Sequence, residues 1–355
     1  MSFWAWVRSL FASDEYRAPV RAEPSVSRAS IQGGAPAVSR RRPVDPDESV
    51  EFDFTEGNEY PADSRVPLTG PERDEVQRLV LTLRQRFDRT KIEAQPFPTR
   101  NSRIFALLED PDFDIDRLVQ LTQRDPALSA SVLRVASSAV SASLVRIESL
   151  REAIVRLGAE TVAGIAAALS TRGIFDAGSK TSRGVIRQAW SDAWLHSVSS
   201  AFSSGALSIE LRRGDLEQCF LGGMLHDIGK TFALRDIVPA WSELGHEGAP
   251  SLAVISAVLE SVHVDFGSAA ARAWKLPAFL VDTVDLHHSP GEESAIEIAI
   301  VRLASGLSAI HLTPYYRAGT EDEIRATADL LNIDRIALRA CRSDVRTNLR
   351  KARAL

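Results

Sequence analysis

The chain has 355 residues, of which 45% are hydrophobic and 25% charged, so it can bury a sizeable core as one large domain or two moderate ones. Its net charge of −5 provides no bulk attraction to nucleic acid, which we do not expect as a partner. We find no run of 18 apolar residues and no export signal, which excludes a transmembrane helix, and two cysteines without metal or disulfide spacing fit a reducing cytoplasm.

Residues 1–14 are predicted to form a short amphipathic helix. Four aromatic residues fall within residues 2–12, and most apolar side chains share one side of the helical wheel, opposite three serines. Two interpretations stay open: the segment docks on a partner protein or a membrane surface, or it folds back onto its own domain. Only Arg8 is cationic, whereas interfacial helices usually carry more Lys and Arg on the polar face. Docking on lipid would add a peripheral membrane location to the cytoplasmic one.

Residues 15–70 are rich in Ser, Pro, Arg, Asp and Glu, and such a segment cannot bury enough apolar surface to offset its ordering entropy. We therefore predict a flexible tether. It contains three consecutive arginines at 40–42 and an acidic stretch from Asp45 to Glu59. The arginines could touch anionic lipid or nucleic acid, but we favour a solvated run of charge.

From residue 71 onward the sequence carries helix signals and no convincing strand. Asp114 and Ser149 are placed to cap helices, Asp125-Pro126 is a cap followed by a first-turn proline, and Gly158 is a helix stop. We predict an all-α domain over residues 71–355, with a helical half at 71–180, a second half at 181–320 and C-terminal helices at 321–355. The longer predicted helices are 160–169, 184–207, 216–234, 249–274, 277–288, 296–310, 322–331 and 333–353.

The densest chemistry lies in this second half. A neutral imidazole beside a carboxylate is a ligand pair for a divalent metal, and histidines on other helices could complete the shell. The candidate metal ligands are His196, His226, Asp227, His263, His287 and His288. Lys230 lies one helical turn after Asp227, within reach of a substrate phosphate or of Asp227 itself.

Structural interpretations of these residues stay open beside the functional one. Asp227 could simply accept a hydrogen bond from a ring N–H of His196, and His263 could pair with Glu260 one turn earlier. Adjacent side chains on a helix diverge by about 100°, so we expect one of His287 and His288 to face inward and the other to face solvent. His246 and His311 are predicted to be surface residues. We expect Trp190, Trp194 and Trp274 to pack in the core, and Gly222-Gly223 to permit close helix approach.

Several motifs in order resemble the HDOD family across about residues 80–345. They are Asp125–Ser129, Val132–Ala139, Ala153–Gly158, Gly222–Lys230, Glu260–Gly267, Trp274–Pro277 and the His287-His288 pair. The resemblance implies a helical relative of the HD phosphohydrolases that acts as a regulatory module in bacterial signalling. It also implies that Ser305 stands where active relatives have a metal-binding aspartate, and a neutral hydroxyl is a poor substitute. Ser289–Glu293 replaces the Gly-Tyr-Pro signature of HD-GYP phosphodiesterases, which weakens a cyclic-di-GMP phosphodiesterase interpretation.

Two functional hypotheses follow. The first is a non-catalytic signalling module that binds a partner protein or a nucleotide messenger. The second is a metal-dependent phosphohydrolase acting on nucleotides or cyclic dinucleotides, with Fe, Mn or Zn as cofactor and Lys230 as a phosphate contact. Nucleic-acid binding through the basic C-terminal helix is the weakest alternative.

Overall fold

The structure is a computed structural model. It describes residues 68–90, 107, 113–139, 149–159, 161–166, 168–169, 172, 184–274, 276–289, 295–312 and 319–353. The predicted N-terminal helix, nearly all of the tether with its arginine run, and parts of the predicted helix at 160–169 lie outside these residues.

The described part of the chain is helical and contains no strand, which confirms the all-α prediction. In chain order its helices are α1 (Gly70–Thr90), α2 (Ile115–Gln123), α3 (Pro126–Ala139), α4 (Leu150–Leu157), α5 (Gly184–Leu211), α6 (Leu216–Leu225), α7 (Gly229–Glu243), α8 (Leu252–Ala273), α9 (Ala278–Leu286), α10 (Ile296–Leu312), α11 (Thr320–Leu330) and α12 (Arg335–Arg353).

Local capping chemistry sets several of these boundaries as the sequence predicted. The Asp114 side chain accepts a hydrogen bond from the Asp116 amide at the start of α2, and Ser149 accepts one from Glu152 at the start of α4. Each bond satisfies one of the amides that a helix N-terminus leaves without a partner. Gly158 ends α4 with a φ of 81°, in the region that favours glycine.

Helix α5 is the centre of the fold and packs mainly against α6, α10 and α12. Trp190 and Trp194 on α5 are buried, as predicted. A side chain at Gly223 of α6 would place its Cβ 2.7 Å from the Cα of Ala201 on α5, so these two helices touch backbone to backbone. Helix α6 ends two residues later at Leu225, and His226 and Asp227 follow directly.

The predicted single helix from 216 to 234 is wrong. The chain forms α6, turns at 226–228 and starts again as α7, because residue 229 must approach α8 very closely. A Cβ on Gly229 would overlap the carbonyl oxygen of His263. Both segments are apolar and helix-compatible, so the break arises from tertiary packing and not from a local stop signal.

Helix α1 covers the hairpin of α7 and α8. Leu79 and Leu83 are fully buried, and the ring of Phe87 stacks on Phe266 of α8 at 3.8 Å between centroids. The Arg84 guanidinium also pairs with Asp265 of α8 at 2.7 Å. This helix therefore holds the outer face of α8, the helix whose inner face contributes to the site described below.

Helix α8 is long and apolar enough to cross a membrane by length and composition, although the sequence criterion excluded such a segment. That criterion demanded an uninterrupted apolar run, and Glu260, His263 and Asp265 interrupt this one. A single helix of this kind is weak support for a membrane span, since buried core helices pass the same test, and 44% of its apolar window is buried in the fold.

Candidate metal centre

The fold brings the six predicted metal ligands into one buried centre. His196 comes from the middle of α5, His226 and Asp227 from the turn after α6, and His263 from the inner face of α8. His287 and His288 come from the turn that follows α9. All except His288 are at most 8% exposed.

Asp227 lies between two groups of histidines. Its Oδ2 atom is 3.2 Å from His196 Nε2 and 3.4 Å from His226 Nε2. The two imidazole nitrogens are 3.2 Å apart, and the Ser305 hydroxyl is 3.2 Å from His196 Nε2 and 3.1 Å from His226 Nε2. We call His196, His226, Asp227 Oδ2 and Ser305 the first subsite.

The other carboxylate oxygen faces a second group. Asp227 Oδ1 is 3.3 Å from His263 Nε2 and 3.5 Å from His287 Nε2. His263 Nε2 is in turn 3.2 Å from His287 Nε2 and 3.1 Å from His288 Nε2. We call Asp227 Oδ1, His263, His287 and His288 the second subsite.

The hydrogen bonds at Nδ1 determine which nitrogen of each ring carries the proton. Nδ1 of His263 lies 3.0 Å from the Leu259 carbonyl, and Nδ1 of His287 lies 2.9 Å from the Val284 carbonyl. A carbonyl only accepts, so both Nδ1 atoms must donate, and in the neutral ring Nε2 then bears the lone pair. His226 follows the same rule through the Gly223 carbonyl at 2.9 Å.

The second subsite is therefore electrostatically incomplete without a cation. Burial lowers the pKa of His263 and His287, which keeps both rings neutral, so their Nε2 lone pairs face each other at 3.2 Å. Asp227 Oδ1 is buried and has no hydrogen-bond donor among the described residues. His288 can donate to only one of these acceptors. Buried acceptors that lack a donor are costly, and a bound metal ion would satisfy all of them together.

The spacing of the second subsite also fits a metal ion. Tetrahedral coordination with bonds of about 2.0–2.1 Å places the ligand atoms about 3.3 Å from one another. The four separations between ligand atoms given above for this subsite range from 3.1 to 3.5 Å. Three imidazoles and one carboxylate suit Zn or Fe better than Mg, which prefers oxygen ligands.

The first subsite can be satisfied by hydrogen bonds alone. The Ser305 hydroxyl can donate to the Nε2 lone pair of His226, and an Nε2–H on His196 can donate to Asp227 Oδ2. Burial lowers the pKa of His196 to about 4, so that ring is neutral near pH 7. The subsite offers a metal one carboxylate oxygen, two imidazoles and a neutral hydroxyl, a weaker donor set than the second subsite.

Lys230 supplies a cation at the first subsite. Its ammonium lies 2.7 Å from Asp227 Oδ2 and 2.7 Å from Glu260 Oε1, with only 15% of the side chain exposed. Burial alone would raise the pKa of Glu260, but Lys230 holds it at about 2. Lys230 likewise holds the pKa of Asp227 well below its ordinary value against the effect of burial. The three side chains form a buried carboxylate–ammonium–carboxylate chain, so of the two predicted roles of Lys230 the geometry favours contact with Asp227.

Several predictions about individual histidines need correction. His287 is buried, as expected of one member of the pair, and 28% of the His288 side chain is exposed. His288 nevertheless also reaches His263, from the turn that follows the end of α9 at Leu286. His311 is buried at 2% exposure and not on the surface. His263 meets the backbone carbonyl of Glu260, and the Glu260 carboxylate goes to Lys230.

Sequence reasoning missed two residues of the centre. Glu260 was considered only as a partner for His263, although its position one turn before a candidate ligand was a usable signal. Arg302 gave no signal at all, yet this residue from the middle of α10 is buried against the C-terminal end of α9. A cavity of about 100 Å³ opens onto the centre. Residues of the centre line it together with Asp192, Arg302, Glu323 and several small or apolar residues; those of the centre are His196, Asp227, Lys230, Glu260, His287, His288 and Ser305.

Comparisons with known proteins point to one family. A model of the HDOD domain matches residues 95–290. An uncharacterized protein of Treponema pallidum is 22% identical over 290 residues, which is 75% of this chain and 53% of that protein. The chain thus spans about half the length of this relative. Ribonuclease Y of Mycoplasma mycoides is 28% identical over 130 residues, 37% of this chain and 25% of that enzyme.

Among solved structures, a presumed metal-dependent phosphohydrolase of Shewanella amazonensis superposes with a TM-score of 0.56 at 15% identity. The match covers 78% of this chain and 99% of that one. At this identity the similarity establishes the fold only.

Proposed function

This chain belongs to the HDOD family, and we propose that it is a bacterial signalling module that holds one divalent transition-metal ion and does not hydrolyse phosphoesters. The ion would bind at the second subsite, to Asp227 Oδ1 and the Nε2 atoms of His263, His287 and His288. The fold and the family are the premise of this proposal, and the metal and its role are inferred from the chemistry of the centre.

One observation carries the proposal. The Nε2 atoms of His263 and His287 face each other at 3.2 Å with both Nδ1 protons committed to carbonyls, and Asp227 Oδ1 has no hydrogen-bond donor among the described residues. Such an arrangement of lone pairs is unfavourable in a buried site unless a cation joins them. The first subsite, by contrast, has Lys230 and two hydrogen-bond donors of its own.

Two features argue against phosphoester hydrolysis. When bound, a metal ion could lower the pKa of a water molecule and neutralise phosphoryl charge, which is the chemistry that the HD phosphohydrolases use. The resemblance to HD phosphohydrolases implies that the neutral hydroxyl of Ser305, which contacts His226, stands where active relatives have an anionic ligand. The Lys230 ammonium already neutralises Asp227 on that side. A second metal ion at the first subsite would therefore have no anionic ligand except Asp227 Oδ2, which Lys230 already pairs.

The charges of the cavity favour a protein partner over a nucleotide messenger. Lys230 and Arg302 are the lysine and arginine among the described residues that line the cavity. Lys230 is held by two carboxylates, and Arg302 by backbone carbonyls of the 286–289 turn. A nucleotide phosphate would have to compete with these bonds, because the Lys230 ammonium and the Nε and Nη2 atoms of Arg302 are already engaged.

A metal-dependent phosphohydrolase is the second candidate, and the cavity beside the retained ligands favours it. Full-length protein reconstituted separately with Mn, Fe and Zn would distinguish the two, by metal content and by turnover of a generic phosphodiester and a phosphomonoester. Our proposal predicts about one equivalent of metal per chain and no turnover above the metal-free control. Two equivalents with metal-dependent turnover would establish the hydrolase instead.

A further inference from the structure

Arg302 is a buried cation whose hydrogen bonds go to main-chain carbonyls. It lies on α10 and is 4% exposed. Its Nε donates to the His287 carbonyl at 2.9 Å, and its Nη2 donates to the Leu286 carbonyl at 2.8 Å and also to the Ser289 carbonyl. One guanidinium thus holds the backbone on both sides of the two adjacent histidines.

These three carbonyls belong to the last residue of α9 and to the turn that follows it. Helix α9 ends at Leu286, and residues 287 and 288 form a turn. The carbonyls at a helix C-terminus have no partner within the helix, and burying them unsatisfied is costly. Arg302 satisfies them from α10, and its positive charge also complements the negative end of the helix dipole.

We infer that Arg302 is a positioning residue for the metal ligands His287 and His288, an inference that rests on the proposed metal at the second subsite. A turn has more conformational freedom than a helix, so the direction of its two imidazoles depends on what fixes its backbone. Arg302 fixes that backbone at successive residues with a planar, rigid fork of donors. Without it the turn can rotate, and the Nε2 atoms of His287 and His288 leave the positions that bring them to within 3.2 Å of His263.

A second feature of α10 supports the same role. Ser305 lies one turn after Arg302 on this helix and contacts His196 and His226 of the first subsite. Helix α10 therefore contacts both subsites. The Ser305 hydroxyl contacts the imidazoles of the first subsite, and the Arg302 guanidinium contacts the backbone that carries the histidines of the second. Partners behind metal ligands orient the ligands, and their removal typically weakens metal binding by about tenfold to a hundredfold.

The test measures Co²⁺ binding to the full-length chain and its Arg302→Gln and Arg302→Lys variants, by titration and by the visible ligand-field spectrum. Arg272→Gln is the matched control, because Arg272 also contacts α9, but through an ion pair with Asp285 in which the Arg272 side chain is 57% exposed. We expect Arg302→Gln to weaken Co²⁺ binding about tenfold to a hundredfold and to change the spectrum. Arg302→Lys keeps the charge but loses the fork, so it should show a smaller loss in the same direction.

The possible results distinguish the role of Arg302 from the presence of a metal at the second subsite. If the parent chain binds no Co²⁺, the second subsite is not a metal site and both fail. If the parent binds and Arg302→Gln binds with the same affinity and spectrum, Arg302 is not a positioning residue although the site stands. Should Arg302→Gln prove unfolded, the Arg302→Lys variant decides, and an unchanged spectrum and affinity there would overturn the inference.

Discussion

The Lys230 ammonium lies 2.7 Å from Asp227 Oδ2, so the carboxylate that joins the two histidine groups already carries a cation on one side. The opposite oxygen, Oδ1, has no donor among the described residues. This asymmetry is the basis of our account, because it distinguishes an internally neutralised first subsite from a second subsite that needs an ion. The predictions below follow from it and from the packing that supports it.

Replacing Lys230 by methionine should strongly destabilise the metal-free protein. The change leaves the buried carboxylates of Asp227 and Glu260 without their shared cation, and breaking a buried ion pair on one side costs about 3–5 kcal/mol. Urea unfolding of the chelator-treated variant measures the loss. Arg272→Met removes an ion pair whose arginine is more than half exposed and should cost about 0–1 kcal/mol. A loss at Lys230 as small as that of the control would show that the chain of charges contributes little.

Replacing Ser305 by aspartate should create a second metal site. The hydroxyl of Ser305 lies 3.1–3.2 Å from both imidazoles of the first subsite, so a carboxylate there would add the anionic ligand that the subsite lacks. Metal analysis after reconstitution should rise from about one to about two equivalents per chain. Ser261→Asp is the control, because it changes an exposed residue and should leave the stoichiometry unchanged. Ser308 is buried and is therefore unsuitable for this purpose.

Replacing Asp192 by asparagine should stabilise the protein near neutral pH. Burial raises the pKa of Asp192 from 3.8 to about 6. Between these values the folded state binds more protons than the unfolded state, so the free energy of unfolding falls as pH rises. An amide of the same size avoids this cost, and the variant should gain about 1–2 kcal/mol near pH 7 after allowance for residual solvent contact.

The gain at Asp192 should fade as pH falls toward about 4, where the parent carboxyl is protonated in the folded state. Urea unfolding of metal-free protein across this range provides the check. The same exchange at Asp322, whose side chain is 86% exposed, serves as the control and should leave the stability profile unchanged. A gain at Asp192 that does not depend on pH would contradict the explanation.

Replacing Gly229 by alanine should disrupt the packing of α7 on α8, next to the turn with His226 and Asp227 and to His263 on α8. A Cβ at this position would overlap the His263 carbonyl. The nearest atoms are backbone atoms of His263 and Gly267 on α8, so no flexible side chain can move away. Overpacking a core typically costs about 1–3 kcal/mol, and a backbone clash should lie at or above the upper end. Thermal unfolding measures it. Gly70→Ala meets nothing within 4 Å and should leave stability nearly unchanged, and equal stability of the two variants would refute the close approach.

Local signals in the sequence predicted several helix boundaries. The caps at Asp114 and Ser149 and the stop at Gly158 act within a few residues, so they can be read without the fold. The break between α6 and α7 could not be read in this way, because it depends on the backbone of Gly229 meeting that of His263, far along the chain.

The same limit explains what was missed at the site. His288 reaches His263 together with His287 from the turn after α9, and a helix boundary is less certain from sequence than the helix itself. Arg302 contacts backbone atoms of residues 286–289, and backbone carbonyls leave no trace in a sequence. Its role depends on the packing of α10 against the 286–289 turn, which is a tertiary contact.

The central claim is that a single ion binds at the second subsite and not at the first. Its most direct test is the metal content of the reconstituted parent, the His196→Ala variant and the His287→Ala variant, each measured alongside its thermal unfolding. We predict about one equivalent in the parent and in His196→Ala, and less than about a tenth of an equivalent in His287→Ala. Metal that is lost from His196→Ala but retained by His287→Ala would contradict the account.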